Sequence, residues 1–352
     1  MSPACKICVC LFLIPTLAEP KPLFMDDSIV EVTIEAPFTS LMKERPDDEY
    51  LAARMTYATP DGRSVELDLK IRTRGNYRRD PGHCDFAPIR LNFRKGQVGD
   101  TLFDGQDKLK LVTHCRSNSK RFPQHVLREY LAYRFFQELT PISYSVRLLN
   151  ITYVDTEGSQ SITRPGFVIE DDEDVARRND LQVVEIPRLS YDQLDPRRQN
   201  LVHVFEYMIG NTEYSFVNPE PNKNCCHNAD VLSADGEPPY LPLPFDFDFA
   251  GIVNTPYAEP NPRFPIDDVR VRFYKGLCEN NSLLADTAQR FLDEHGDFVT
   301  IVDRLEPLSR RSRVSVKNYL NGFIDRIADE NSLERHFANK CLEPGELYKN
   351  EK

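Results

Sequence analysis

The feature that most constrains this chain is a strict period of two. Val65, Leu67, Leu69 and Ile71 alternate with Glu66, Asp68, Lys70 and Arg72. Only a strand with one buried and one wetted face needs that pattern. A Pro60-Asp61-Gly62 turn precedes it, so Tyr50–Thr59 is expected to pair with it as a hairpin. Short β-type runs recur at Ile29–Glu35, Ile89–Phe93, Lys108–Thr113, Val146–Tyr153 and Gly166–Glu170. One amphipathic helix interrupts them, Gln124–Leu139, with Leu127, Tyr130, Leu131, Phe135 and Leu139 near one face and Pro141 as its stop.

Past the acidic run at 170–174 the character changes. Gln199–Ile209 has a helical pattern, Asn218–Asn228 is rich in Pro and Asn, and Ala229–Leu243 reads as a hairpin turning at Ala234-Asp235-Gly236. Helices are expected at Leu283–His295, Phe298–Leu305 and Arg313–Asp329. The division this suggests is a β-rich part over 19–174 and a helical part over 175–341, with a tail at 342–352.

Residues 1–18 read as an address. Lys6 precedes an apolar run ending at Thr16-Leu17-Ala18, a small-x-small cleavage pattern, and the run is too short to span a bilayer. The expectation is a signal peptide for export, periplasmic or secreted. No second long apolar run exists, so no membrane span is expected. Six cysteines lie beyond the leader: Cys84, Cys115, Cys225, Cys226, Cys278 and Cys341. An even number in an exported chain points to disulfides, and we expect Cys84–Cys115 and Cys226–Cys278. Lys plus Arg is 44 against 55 Asp plus Glu, a formal charge of -11. That balance argues against a nucleic-acid partner, which needs a basic footprint.

The densest polar segment in an apolar setting is Leu243-Pro-Phe-Asp-Phe-Asp-Phe-Ala-Gly251. On a strand, Asp246 and Asp248 share one face and the three Phe rings the other. Paired carboxylates beside a hydrophobic wall need an arginine or a cation. Upstream, Gly210-Asn211-Thr212-Glu213 offers a possible base, and Asn228 an amide oxygen for a metal. There is no P-loop, no G-x-S-x-G and no G-x-G-x-x-G.

Taken in order, these marks resemble the CotH-type spore-coat kinases, an atypical branch of the protein-kinase-like fold. They are Arg74-Gly75-Asn76, Pro88-Ile-Arg-Leu-Asn-Phe93, Lys108-Leu-Lys-Leu-Val112, Val126-Leu-Arg-Glu-Tyr-Leu-Ala132, Gly166-Phe-Val-Ile-Glu170, Gly210-Asn211-Thr212, His227-Asn228 and Asp246-Phe-Asp248. The resemblance runs from about Leu69 to Gly251. It implies an α+β, two-lobed fold: a β-rich N-lobe with one packed helix and a mainly helical C-lobe carrying a catalytic and metal segment at 208–251. It also implies transfer of phosphate from ATP, with Mg2+ (or Mn2+), to the hydroxyl of an unknown protein acceptor. Asn228, Asp246 and Asp248 would hold the metal, with Asp246 and Glu213 catalytic. Lys110 or Lys108 would hold the phosphates, with Arg90 or Arg74 as alternatives, and Glu170 would sit in the joining strand. Glu213 stands where Asp is expected. The rival expectation is a secreted binding protein of the same fold without catalysis.

Overall fold

The computed structural model describes residues 22–218 and 223–346. The leader 1–18 and the end of the tail lie outside the described residues.

The first half runs β1 (Val30–Ala36), α1 (Phe38–Glu44), β2 (Leu51–Ala58), β3 (Ser64–Thr73), β4 (Ile89–Phe93), α2 (Lys95–Val98), β5 (Lys108–Val112), α3 (Phe122–Leu139), β6 (Val146–Asp155) and β7 (Ser161–Ile169). After it come α4 (Asp172–Arg178), β8 (Gln182–Val183), α5 (Pro196–Ile209), β9 (Ala229–Ser233), β10 (Leu241–Pro244), α6 (Leu284–Arg304), α7 (Arg310–Ile327) and α8 (Glu330–His336).

The expected strands and the Tyr50–Thr59 hairpin are present, but the architecture differs from the expectation. The seven strands β1 to β7 close into a barrel in the order β1-β2-β3-β4-β5-β7-β6. This corrects the two-lobed protein-kinase-like fold, whose N-lobe sheet is open. Closure comes from one parallel pair, β1 with β6, in the register Val30↔Leu149 through Ala36↔Asp155; the other pairs are antiparallel. A parallel partner more than a hundred residues away leaves no mark on the period of either strand, so alternation cannot tell a closed sheet from an open one. Alternating side chains fill the interior: Val32, Ile34, Met55, Leu67, Leu69, Ile71, Leu91, Leu109, Leu111 and Ile151 form one apolar core. The hairpin expected at Ala229–Leu243 is present as β9 and β10, and the short β8 joins it in a small separate sheet.

A second core lies outside the barrel, with α3 at its centre. Tyr133 packs edge-on against Phe167 of β7, ring centroids 5.6 Å apart, while Phe135 meets Phe298 of α6 at 5.4 Å. Residues of α3, β6 and β7 thus share one apolar cluster with α5, α6 and α7. Helix α5 begins where Asp195 accepts a hydrogen bond from the Arg198 backbone at 2.7 Å with Pro196 behind it, a cap worth about 1 kcal/mol. It ends at Gly210, φ +71, where a Cβ would strike the Tyr319 hydroxyl. The two helices expected at 283–305 are one, α6, running through Gly296.

Cys84 and Cys115 form the expected disulfide. The Cys226–Cys278 pairing is wrong: Cys225 bonds its neighbour Cys226, and Cys278 bonds Cys341. The reason for the second is topological. Leu277 and Leu342 form a parallel bridge, which sets Cys278 beside Cys341. No described helix is long and apolar enough to cross a membrane.

Candidate functional site

Between the barrel and the second-half loops lies a cavity of about 700 Å3. Four distant stretches of chain bring charged or amide groups to it: Arg74 and Arg78 after β3, Lys110 on β5, Glu213 and Asn228 around the loop after α5, and Asp246 with Asp248 after β10.

The loop geometry is specific. Asn228 and Asp246 both occupy the left-handed region, φ +52 and +62, which non-glycine residues rarely adopt and which Asn and Asp tolerate best. The two are locked together: the Phe245 backbone N–H donates to the Asn228 carbonyl at 3.0 Å. Asn228 Nδ2 donates to the Glu213 carbonyl at 2.7 Å, so a cation would meet the Asn228 side-chain oxygen Oδ1. Asn211 Oδ1 accepts from the Glu213 backbone N–H at 3.0 Å, which orders the start of that loop. The Asp246 N–H is held by the Tyr133 hydroxyl of α3 at 2.9 Å. Backbone bonds from Gly251 to Gly210 and from Ile252 to Ile209 staple the two site loops at their far ends.

Lys110 is half-buried with its Nζ over the rings of Phe245 (4.9 Å) and Tyr144 (5.5 Å), and it makes no ion pair among the described residues. Asp230 shares the cavity and takes a hydrogen bond from the Tyr144 hydroxyl; burial raises its carboxyl above the usual range, and nearby Lys110 opposes this. Burial depresses the Arg74 guanidinium, and nearby Asp246 partly offsets that.

Asp248 behaves differently from Asp246. It is buried, paired with Arg78 Nε at 3.5 Å and hydrogen-bonded by the Tyr257 hydroxyl at 2.7 Å. Arg78 also reaches Glu129 of α3 at 3.2 Å. Burial raises the Glu129 carboxyl strongly, and neighbouring Asp248 and Asp246 push it further. Asp248 is raised to about 6 by burial first and by the like charge of Asp246 second. Arg78 and Asp248 line the floor of the cavity, with Glu129 and Tyr257 bonded to them from behind.

The other expected residues lie elsewhere. Lys108 and Arg90 line a neighbouring cavity of about 710 Å3 on the same strands, where Arg90 meets Asp171 at 3.8 Å. Glu170 is buried and spent on structure, accepting from Arg178 at 3.0 Å and from the Ser145 N–H at 2.8 Å. Reasoning from the sequence missed Arg78, Glu129, Tyr133, Asp230 and Tyr257. One signal was available for Glu129: it stands between Val126 and Tyr133 on the apolar face of α3, where a carboxylate requires a partner.

Asp246 and the Asn228 oxygen are hard oxygen donors of the kind Mg2+ takes, which needs only one or two carboxylates when phosphate oxygens complete the shell. Among the described residues no group of three or more His, Cys, Asp or Glu stands in a metal-holding arrangement. A cation here would therefore depend on oxygens brought by a ligand. The arrangement defines a class of site: an oxygen-lined acidic edge facing a cationic one across a single cleft, suited to a metal-bound polyanion. The chain matches no model of a known protein family, and no curated protein matches its sequence.

Proposed function

We propose that the cleft binds a Mg2+–nucleoside triphosphate, ATP in the first instance, and transfers its terminal phosphoryl group to a hydroxyl of a protein acceptor outside the cytoplasm. One observation carries the reading: Lys110, Asn228, Asp246 and Glu213, from separate parts of the chain, line one cavity large enough for a nucleotide. The CotH-like motifs support the chemistry and not the fold. The three disulfides and the lack of a membrane-spanning helix among the described residues agree with export.

In this reading Asp246 and the Asn228 oxygen hold the cation, which when bound would neutralise the phosphate charge. Lys110 and Arg74 hold phosphate oxygens. The acceptor oxygen attacks the terminal phosphorus, the bond to the bridging oxygen breaks, and the nucleoside diphosphate leaves. The Glu213 carboxylate receives the hydroxyl proton. Arg78 and Glu129 act from behind, holding Asp248 and through it the turn that presents Asp246.

The test is thermal unfolding with ATP, with and without Mg2+ or Mn2+, followed by phosphoryl transfer to candidate proteins. Saturation at a hundred times Kd adds about 2.7 kcal/mol. Asp246→Asn is expected to abolish the metal-dependent shift. Absence of any metal-dependent nucleotide shift in the parent would reject the reading. Binding without transfer by parent and Glu213→Gln alike would leave a nucleotide-binding module.

A further inference from the structure

The second cavity, of about 710 Å3, lies where the outside of the barrel meets α4, and phosphoryl transfer in the cleft gives it no role. Its volume falls within the span of about 300–1,000 Å3 that small-molecule sites take. Three parts of the chain wall it: Arg90 on β4, the stretch from α2 into β5 that carries Asp104, Gln106 and Lys108, and the segment after β7. The Phe93 N–H donates to the Asp107 carbonyl at 2.7 Å and the Gln106 N–H to the Phe103 carbonyl at 3.0 Å, which hold that stretch in shape beside β4. In the register of β4 and β5, Arg90 stands opposite Lys110 and Asn92 opposite Lys108, so Arg90 and Lys108 are diagonal neighbours on the outer face of the barrel.

Two buried donors in this wall have no acceptor. Gln106 is 1% exposed and its Nε2 makes no hydrogen bond, and the Arg90 Nε is buried and equally unpaired. Buried N–H groups are costly to leave unsatisfied. The Arg90 guanidinium approaches Asp171 only to 3.8 Å. The other charges around the cavity mostly cancel in pairs: Lys95 meets Asp107 at 3.2 Å, and Arg177 meets Asp174 at 2.5 Å. Lys108 and Asp104 are left over, one of each sign, and neither enters an ion pair among the described residues.

We infer that this cavity binds a small zwitterion carrying one carboxylate and one ammonium group, of amino-acid to dipeptide size. A carboxylate presents two oxygens and about four lone-pair directions, enough for the Lys108 ammonium and the two unpaired N–H groups together. An ammonium group is the complement that Asp104 takes. A simple anion would leave Asp104 without a partner, and a simple cation would leave the Arg90 and Gln106 donors without acceptors. The bound molecule would tie β4 and β5 of the barrel to the segment leading into α4. Lys110 faces the cleft and does not line this cavity, so the site is separate from the proposed transfer site and does not depend on that activity.

Calorimetry on the full chain tests this with glycylglycine and L-glutamine as the zwitterions, and with sodium acetate and methylammonium chloride as the separate halves, all at constant ionic strength. Saturable binding of a zwitterion is expected, with each half weaker by about tenfold or more. Lys108→Met and Asp104→Asn, both at positions reached by solvent, are each expected to raise Kd about ten- to a hundredfold, the loss of one charge-assisted bond. Gln106→Met keeps the length of the side chain and removes the unpaired donor, so it is expected to fold and to bind the zwitterion more weakly. Asp246→Asn and saturating Mg2+–ATP act on the cleft, and both are expected to leave the zwitterion Kd unchanged, so a failure of the nucleotide reading leaves this test intact. The inference is overturned by no saturable binding of either zwitterion, by acetate or methylammonium binding as tightly as the zwitterions, by an unchanged Kd in Lys108→Met or Asp104→Asn, or by competition from Mg2+–ATP.

Discussion

Replacing Arg78 with Met tests the floor of the cleft. Arg78 is almost wholly buried between Glu129 and Asp248, at 3.2 and 3.5 Å. Removing it strands two buried carboxyls, and breaking such a pair costs about 3–5 kcal/mol. The cost has a pH signature. A carboxyl whose folded pKa is raised contributes stability that is full below its unfolded pKa and lost as pH rises through the folded one. In the parent, Asp248 ionises near 6, so above that pH it binds no more protons folded than unfolded and adds no slope. Without Arg78 it stays protonated in the folded state to higher pH. The variant then loses about 1.4 kcal/mol per pH unit that the parent does not, or about 3 kcal/mol between pH 6 and pH 8. Glu129 is raised strongly even with Arg78 present and so contributes little to this difference. Urea denaturation of both proteins at the two pH values reads the gap directly. A gap that stays level or narrows from pH 6 to pH 8 would refute the assignment of Arg78 as the counter-ion of Asp248.

Three further outcomes are expected. Glu206 is fully buried on α5 beside the Asn211 amide, and burial lifts its pKa to about 8; Glu206→Gln removes this titration, so the variant is expected to gain on the order of 3 kcal/mol over the parent between pH 5 and pH 8.5, measured by denaturant midpoints. Cys278 and Cys341 close a separation of 63 residues, so replacing both with Ala is expected to cost about 4 kcal/mol, and a loss below about 1 kcal/mol would show that this bridge does not constrain the unfolded chain. Lys110→Met is expected to weaken triphosphate binding about ten- to a hundredfold by calorimetry while diphosphate binding changes less; equal loss for both would remove Lys110 from the terminal phosphate.

Local order was legible wherever one face of an element meets a core. The alternation at 65–72 placed β3, and the apolar face of 124–139 placed α3, because burial imposes period two on one and about 3.6 on the other. Gly210 after Ile209 announced the end of α5. The Phe-separated acids at 246 and 248 marked the site segment, since carboxylates among rings need an opposing charge. Those residues also limited how far the reading could go. On a regular strand Asp246 and Asp248 are equivalent; the turn at Asp246, φ +62, separates their partners, setting Asp248 against Arg78 and Tyr257 while both line the cavity. That choice depends on Arg78 and Tyr257, neither of which any local pattern ties to Asp248.

Closure of the barrel was likewise a tertiary decision. Val30–Ala36 and Val146–Asp155 each read only as strands, and their parallel pairing depends on the path of the chain between them. The same holds for Cys278–Cys341, a pairing that no spacing announces. Periodicity records whether a residue is buried, because burial acts on each side chain separately. It does not record against what, because a partner is set by the summed packing of the whole chain.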